Sequence, residues 1–121
     1  MTILEAINTV DGMKPNTVSL EQKRRWLAVL DRRITLDIHA YFDECPTFAG
    51  YDEHTPDSTE LLVPAPYDEM YLYWLRAQID FINGEEERYN NEIAIFNTDL
   101  QQYERFYRQN HRTKTASPRF F

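Results

Sequence analysis

The sequence predicts an all-α protein, a small bundle of about four helices in which the last two form a long helical hairpin. Apolar residues between positions 61 and 110 recur at alternating steps of three and four, a seven-residue period that keeps one side of a helix against a partner helix. Asn83-Gly84 interrupts this pattern once, which is typical of a tight turn between helices. We expect one compact domain, since 121 residues is close to the usual domain size.

The first two helices each follow a capping-box sequence, in which the side chains of the first and fourth residues bond to free backbone N–H groups. Thr2 opens a short first helix, and Ser19 opens a second helix that should end before Pro46 because helical dihedrals are disfavoured before proline. The predicted inward faces are Ile3, Leu4, Ile7 and Val10 in the first helix and Trp26, Leu27, Leu30, Ile34, Ile38 and Tyr41 in the second, with Arg24, Arg25, Asp31, Arg32 and Asp37 mostly in solvent.

The third helix should begin near Pro66 and run to about Ile82, and the fourth should begin with the acidic run at positions 85–87. The third helix has two adjacent apolar stripes, which is typical of a central helix. A single bent helix through Asn83-Gly84 remains the alternative to a turn. The stripes are Tyr67, Met70, Trp74, Ala77 and Phe81, then Tyr71, Leu75, Gln78 and Ile82, and in the fourth helix Tyr89, Ile93, Phe96, Leu100, Tyr103 and Tyr107.

Residues 44–64 form the one long irregular segment, which is rich in proline and acidic residues. Loops of this length in small domains are usually functional or make contacts. Its last part, Leu61-Leu62-Val63, could pair as a short strand or cover the core. The alternative for the whole segment is a solvated acidic connector.

The formal charge of −7 argues against general nucleic-acid binding. The charge is unevenly distributed, because residues 105–121 contain five basic residues and no acidic one. Residues 1–104 therefore hold eight basic and 20 acidic residues, a formal charge of −12. A molecule with an acidic body and a basic end is suited to docking on complementary surfaces.

Catalytic chemistry has little support in the sequence. Cys45, Asp52 and His54 share the irregular segment and could be imagined as a nucleophile site, but a flexible acidic loop offers neither the rigid scaffold nor the oxyanion hole that such a site needs. We therefore expect that the protein is not an enzyme. Cys45 is the single cysteine, so no intrachain disulfide can form.

Metal and nucleotide sites are equally unsupported. His39, His54 and His111 lie far apart in the sequence and on different predicted elements, and neither H-x-x-x-H nor C-x-x-C occurs. Acidic residues at positions 52, 53 and 57 lack the spacing of a calcium loop. The three glycines are isolated, so no phosphate-binding loop occurs. We expect no metal and no cofactor.

After Asn110 the helical periodicity ends, so we divide the chain into a helical domain, residues 1–110, and an extended C-terminal docking tail, residues 111–121. Cationic side chains combined with aromatic anchors are typical of interface hot spots. The alternative is an end that serves solubility. The predicted partner-binding residues are Arg108, Arg112, Lys114, Arg119, Phe120 and Phe121.

The sequence gives no indication of export or membrane insertion. The first residues lack a basic segment followed by an apolar run, so we expect no signal peptide. Nowhere do 18 apolar residues follow one another, so we expect no membrane span. A soluble intracellular protein is the expectation from the residues alone.

The run LLVPAPYDEMYLYWLRAQIDFINGEEERYNNEIAIFN, followed by YRQNHRTK, resembles head–tail connector (adaptor, or head-completion) proteins of tailed bacteriophages and prophages. The resemblance is strongest over residues 61–114, and residues 3–30 also fit. It implies a helical structural protein of the virion neck, assembled in the bacterial host cytoplasm. The copies form a ring, implied to be a dodecamer, beneath the portal protein at the capsid vertex.

The resemblance also implies partners. Residues 108–121 become a portal-docking segment, and the acidic residues 44–60 contact a ring neighbour, the channel lumen or a downstream neck or tail protein. DNA would meet the protein only in passage through the channel, and no membrane is involved. The alternative function is a small helical regulatory or nucleic-acid-binding module that acts through the basic C-terminal tail.

Overall fold

The computed structural model describes residues 1–43 and 45–114, and in this part of the chain it contains four α-helices and two 3₁₀ turns. No strand occurs among these residues, which form only two isolated β-bridges, Thr2 with Glu60 and Phe42 with Thr113. The predicted all-α bundle is confirmed. The helices are α1 (Ile3–Met13), α2 (Leu20–Asp37), α3 (Met70–Ile82) and α4 (Glu86–Asn110), and the 3₁₀ turns are His39–Tyr41 and Tyr67–Glu69.

Side-chain caps fix where α1 and α2 begin. At α1 the capping box is complete: Glu5 N–H donates to Thr2 Oγ1 at 3.1 Å, and Thr2 N–H donates to Glu5 Oε1 at 2.8 Å. At α2 the hydroxyl of Ser19 accepts from the backbone N–H of Gln22 at 3.1 Å. The side chain of Gln22 instead accepts from Arg25 at 3.4 Å, so the second capping box forms only in part.

The second helix ends earlier than predicted, at Asp37 and well before Pro46. Ile38 leaves the helical region with φ −122° and ψ −65°, and the chain continues as the His39–Tyr41 turn. This break buries His39 against α4, where it contacts Tyr103. It also rotates Tyr41, predicted to face inward, into solvent, where it is 62% exposed.

α3 is the central helix, as its two apolar stripes predicted: it packs against α1, α2 and α4. Neither stripe is buried at the end of the helix, because Phe81 and Ile82 are exposed. Asp80 is buried there instead, and its Oδ1 lies 2.5 Å from Lys14 Nζ. Gly84 then adopts φ +71°, a conformation that glycine adopts without steric cost. The chain therefore turns between α3 and α4, and the single bent helix is excluded.

Within the irregular segment, residues 61–63 cover the core rather than forming a strand. Leu61 and Val63 are buried, and the Leu61 N–H donates to Met1 O at 2.9 Å. Backbone carbonyls of the segment also accept from the first N–H groups of α1, which have no partner within the helix: Ile3 to Thr59 at 3.0 Å, and Leu4 to Asp57 at 3.0 Å. The solvated-connector alternative is therefore wrong for residues 57–63.

The core is built from one face of each helix. In α1 it takes three of the four predicted residues, because Leu4 is 40% exposed. In α2, Asp31 was predicted to face solvent and is instead fully buried. The large apolar side chains with the lowest exposure are Ile3, Ile7, Val10, Leu27, Ile34, Val63, Met70, Tyr71, Leu75, Ile79 and Tyr103.

Candidate functional site

The last turns of α4 and the residues after it carry a surface of exposed cations, which we call the basic surface: Arg105, Arg108, Arg112 and Lys114. Arg108 forms an ion pair with Glu104 at 2.6 Å, one helical turn away. Cations near a helix C-terminus are stabilised by the partial negative charge of the helix dipole. Four exposed basic residues therefore lie in the last turns of α4 and just after it, whereas residues 1–104 carry a formal charge of −12.

The first residues after α4 pair with their own chain. Asp43 N–H donates to Arg112 O at 2.9 Å, and Lys114 N–H donates to Tyr41 O at 2.9 Å, so residues 112–114 run antiparallel to residues 41–43. Residues 112–114, near the beginning of the predicted docking tail (residues 111–121), are thus held by their own subunit. The backbone is used in this pairing, and the side chains of Arg112 and Lys114 stay exposed.

The other predicted partner-binding residues, Arg119, Phe120 and Phe121, lie outside the described residues. Of the predicted partner-binding residues, the structure therefore describes Arg108, Arg112 and Lys114, and all three are exposed. Arg105 joins them as a fourth exposed cation that the prediction of partner-binding residues did not include.

An aromatic stack anchors the end of α4 beneath the basic surface. The ring of His111 lies 3.7 Å from that of Tyr107 at an interplanar angle of 9°, and the ring of His39 lies 4.5 Å from it at 28°. Two rings at these spacings must occupy opposite faces of Tyr107. Phe42 meets the same ring edge-on at 5.0 Å. His39 and His111, which lie far apart in the sequence, therefore meet on opposite faces of one ring.

His39 is the buried member of this stack. Its Nε2 lies 2.6 Å from the hydroxyl of Tyr103. Burial lowers the pKa of His39 to about 4, and the nearby charge of His111 acts in the same direction. Burial also raises the pKa of Tyr103, so its hydroxyl stays protonated. His39 itself is therefore neutral near pH 7.

The nucleophile site that could be imagined from Cys45, Asp52 and His54, and that the sequence did not support, is not assembled. The carboxylate of Asp52 accepts from the backbone N–H of His54 at 2.8 Å and from the hydroxyl of Thr55 at 3.3 Å, which closes a local turn. The imidazole of His54 lies instead 3.4 Å from Glu53, and both side chains are 85% exposed. Asp52 therefore does not orient the imidazole as a base.

The acidic segment is fastened to α2 by contacts that the sequence did not predict. The guanidinium of Arg24 pairs with the carboxylate of Asp57 and donates to the backbone carbonyls of Asp52 and Thr55, both at 2.7 Å. The hydroxyl of Tyr51 donates to the carboxylate of Asp31. Arg24 and Asp31, the two α2 residues that make these contacts, were both predicted to lie mostly in solvent.

The burial of Asp31 could have been predicted from its position in the sequence. Asp31 stands four residues after Leu27 and three before Ile34, so it lies on the apolar stripe itself. A charged residue at such a position is buried only when partners satisfy it. Those partners come from residues 51–71, far along the chain.

Comparison of this chain with family models, curated proteins and solved structures gives no match. Within the described residues, no group of three His, Cys, Asp or Glu side chains is arranged to hold a metal ion. None of the helices α1 to α4 combines the length and apolar character needed to cross a membrane.

Proposed function

We propose that this chain is a structural head–tail connector (adaptor) protein of a tailed phage, which forms a ring under the portal and joins capsid to tail. Its sequence resemblance over residues 61–114 supports this function. The structural observation that carries the proposal is the basic surface: Arg105, Arg108, Arg112 and Lys114 are all exposed, in the last turns of α4 and just after it. In this proposal the protein resides in the virion neck.

The basic surface suits docking on an acidic region of the portal protein. Its framework is pre-organised, because the aromatic stack and the pairing of residues 112–114 with 41–43 fix the backbone from which the cations project. Complementary charge gives fast and specific encounter rather than high affinity. Pre-organisation reduces the ordering cost on binding.

A ring multiplies this weak contact. When many subunits face many portal subunits, each further contact forms at high effective concentration, so dissociation is slow although no single contact is strong. Arg119, Phe120 and Phe121 lie outside the described residues. In this proposal Arg119 would add a further cation to each contact, and the two phenylalanines would add an apolar anchor. The proposed partners are therefore the portal protein, further copies of this chain, and neck or tail proteins below the ring.

The acidic segment fits a surface along the DNA channel. Asp52 and Glu53 are exposed, and Arg24 holds the segment that carries them in a fixed position on α2. Carboxylates that line a channel repel DNA phosphates and so keep the channel from gripping DNA. Replacing both with Asn and Gln should slow DNA ejection, and unchanged ejection with normal assembly would remove this part of the proposal.

Binding to the portal protein of the same phage tests the proposed function. The double variant Arg112→Glu/Lys114→Glu should bind at least about tenfold more weakly, because two attractive charges become repulsive. Deleting residues 117–121 should also abolish binding while the helices remain folded. The matched control is Arg25→Glu/Arg88→Glu, which makes the same change in net charge at two exposed positions away from the basic surface.

Portal binding measured by surface plasmon resonance separates the outcomes. Loss of binding in the first two variants but not in the control supports docking through the basic surface and the tail. Equal affinity in all of them would refute this docking surface.

A second candidate, the nucleic-acid-binding module, is favoured by the same four exposed cations. Phosphate contacts release counterions, so binding to DNA would fall steeply with salt. The acidic body of the molecule opposes such binding. A gel shift at moderate salt distinguishes the two candidates: a retarded band with this chain alone would favour the module over the connector.

A further inference from the structure

A small cavity of about 360 Å³ lies at the turn between α3 and α4. Gly84 has φ +71°, and the turn places the ring of Phe81, at the end of α3, beside the ring of Tyr89 in the first turn of α4. The two ring centroids are 5.5 Å apart at an interplanar angle of 54°. We call it the hairpin-tip cavity; its lining is Phe81, Gly84, Glu85, Glu86, Tyr89 and Asn90.

The aromatic part of this lining is open to solvent. Phe81 is 68% exposed, the highest value among the large apolar side chains that the structure describes, and Tyr89 is partly exposed. Ile82, which follows Phe81, is also exposed. Single exposed apolar residues are ordinary on a protein surface, but grouped ones mark contact sites. The hairpin tip therefore has the character of a surface that another molecule covers.

Carboxylates flank the two rings. Glu85 and Glu86 line the cavity and are exposed, and residues 81–90 hold three acidic residues and one basic residue, a formal charge of −2. The one basic residue, Arg88, lies 3.2 Å from Glu85, and an exposed pair of this kind is weak. The helix dipole accounts for acidic residues at the start of α4, but it does not account for the two open rings beside them.

Ring faces beside carboxylates suit a cation, and above all a guanidinium group. A cation within about 6 Å of a ring centroid is attracted by the negative face of the ring. A guanidinium is also planar, so it stacks on a ring while its N–H groups donate to a carboxylate, which an ammonium group cannot do in the same way. The subunit itself contains such contacts, with the guanidinium of Arg76 lying 5.5 Å from the ring centroid of Tyr73.

We propose that the hairpin-tip cavity is the docking site of an arginine side chain of a partner protein, whose guanidinium covers Phe81 and Tyr89 and pairs with Glu85 or Glu86. The partner is a different protein, because two copies of this chain, each with a formal charge of −7, repel each other. The site is separate from the basic surface: α4 has 25 residues and is about 37 Å long, and the two surfaces lie at its opposite ends. The inference holds whether or not the basic surface docks on a portal protein.

Titration of the full chain with N-acetyl-L-arginine amide, followed by the NMR signals of the Phe81 and Tyr89 rings, tests the proposal. The ring signals should shift to saturation. N-acetyl-L-citrulline amide has nearly the same shape without the charge, so it should bind at least about fivefold more weakly. Equal binding of the two probes, or ring signals that neither probe moves, would overturn the proposal.

Variants of the lining locate the bound arginine probe. Phe81→Ala removes one ring at an exposed position and should weaken binding about two- to fivefold, read from the Tyr89 signals. Glu85→Gln/Glu86→Gln should weaken it at least about threefold. Unchanged affinity in both variants would refute the site.

The matched control for charge is Glu21→Gln/Glu53→Gln, which removes the same two charges at positions that are 84% and 85% exposed. It should bind the arginine probe as the wild type does, and a loss equal to that of the cavity variant would refute a specific site. Dilution of the wild type without a probe should leave the ring signals unmoved. Signals that move with protein concentration would show that a second copy covers the cavity and would refute a separate partner.

Discussion

The hydroxyl of Tyr71 donates a hydrogen bond of 2.6 Å to Oδ1 of Asp31, with both groups fully buried in the bundle. Oδ2 of the same carboxylate accepts from the hydroxyl of Tyr51 and from the backbone N–H of Leu62 at 3.2 Å. The Tyr71 hydroxyl in turn accepts from the Val63 N–H at 2.8 Å. One carboxylate therefore joins α2, α3 and the irregular segment that precedes α3.

The protonation states of Asp31, Tyr51 and Tyr71 are consistent with these hydrogen bonds. Burial raises the pKa of Asp31, while the hydrogen bonds from Tyr51, Tyr71 and Leu62 oppose that rise because they favour the ionised form. Burial and the adjacent carboxylate raise the pKa values of both tyrosines, so each hydroxyl keeps the proton that it donates. The cluster needs the carboxylate as its acceptor.

Asp31→Ala should therefore destabilise the fold by at least about 3 kcal/mol, because it leaves two hydroxyls and one backbone N–H without their acceptor in the interior. Urea unfolding followed by circular dichroism measures the free energy of unfolding. Asp37→Ala, at an exposed position of the same helix, should change it by less than about 0.5 kcal/mol. A loss below about 1 kcal/mol for Asp31→Ala would show that the cluster does not hold the segment.

The Asp31 cluster marks the limit of what the sequence could predict. The helices, the turn at Gly84 and the cap at Thr2 follow from residues close in sequence, so periodicity and local hydrogen bonding suffice to predict them. Asp31 meets Tyr71 across 40 residues, and no local pattern carries that pairing. The buried carboxylate therefore looked like one more solvent-facing charge.

The same reason applies to the candidate site. The basic residues could be assigned to one end of α4 because helix periodicity places them there. The pairing of residues 112–114 with 41–43 joins positions about 70 residues apart, and the His39–Tyr41 turn that allows it departs from the predicted helix. Tertiary burial of His39 overrides the local preference for helix at that point.

His39 should make the stability depend on pH. Because its pKa falls from 6.5 to about 4 on folding, the unfolded chain binds a proton between these values that the folded chain does not. The stability from His39 is therefore complete above pH 6.5 and is lost as the pH falls toward 4, by roughly 2–3 kcal/mol. Urea unfolding at pH 7 and at pH 4 measures this loss.

His39→Gln isolates the effect, because glutamine can still bond to the Tyr103 hydroxyl but does not titrate. The variant should lose roughly 2–3 kcal/mol less than the wild type between the two pH values. His54→Gln, at a position that is 85% exposed, should behave like the wild type. If the wild type and His39→Gln lose equal stability on acidification, His39 is not the group that titrates.

The turn between α3 and α4 gives the third prediction. Gly84 has φ +71°, which an alanine adopts only with steric strain, and no heavy atom lies within 4 Å of the position that its Cβ would take. Gly84→Ala should therefore destabilise the fold by about 1 kcal/mol through the backbone alone. Gly12 lies within α1 with equally open surroundings, so Gly12→Ala should instead stabilise the fold by up to about 1 kcal/mol. Thermal unfolding of the two variants should show a lower melting temperature for Gly84→Ala and a higher one for Gly12→Ala. A Gly84→Ala protein as stable as the wild type would mean that the hairpin does not depend on a left-handed residue at this turn.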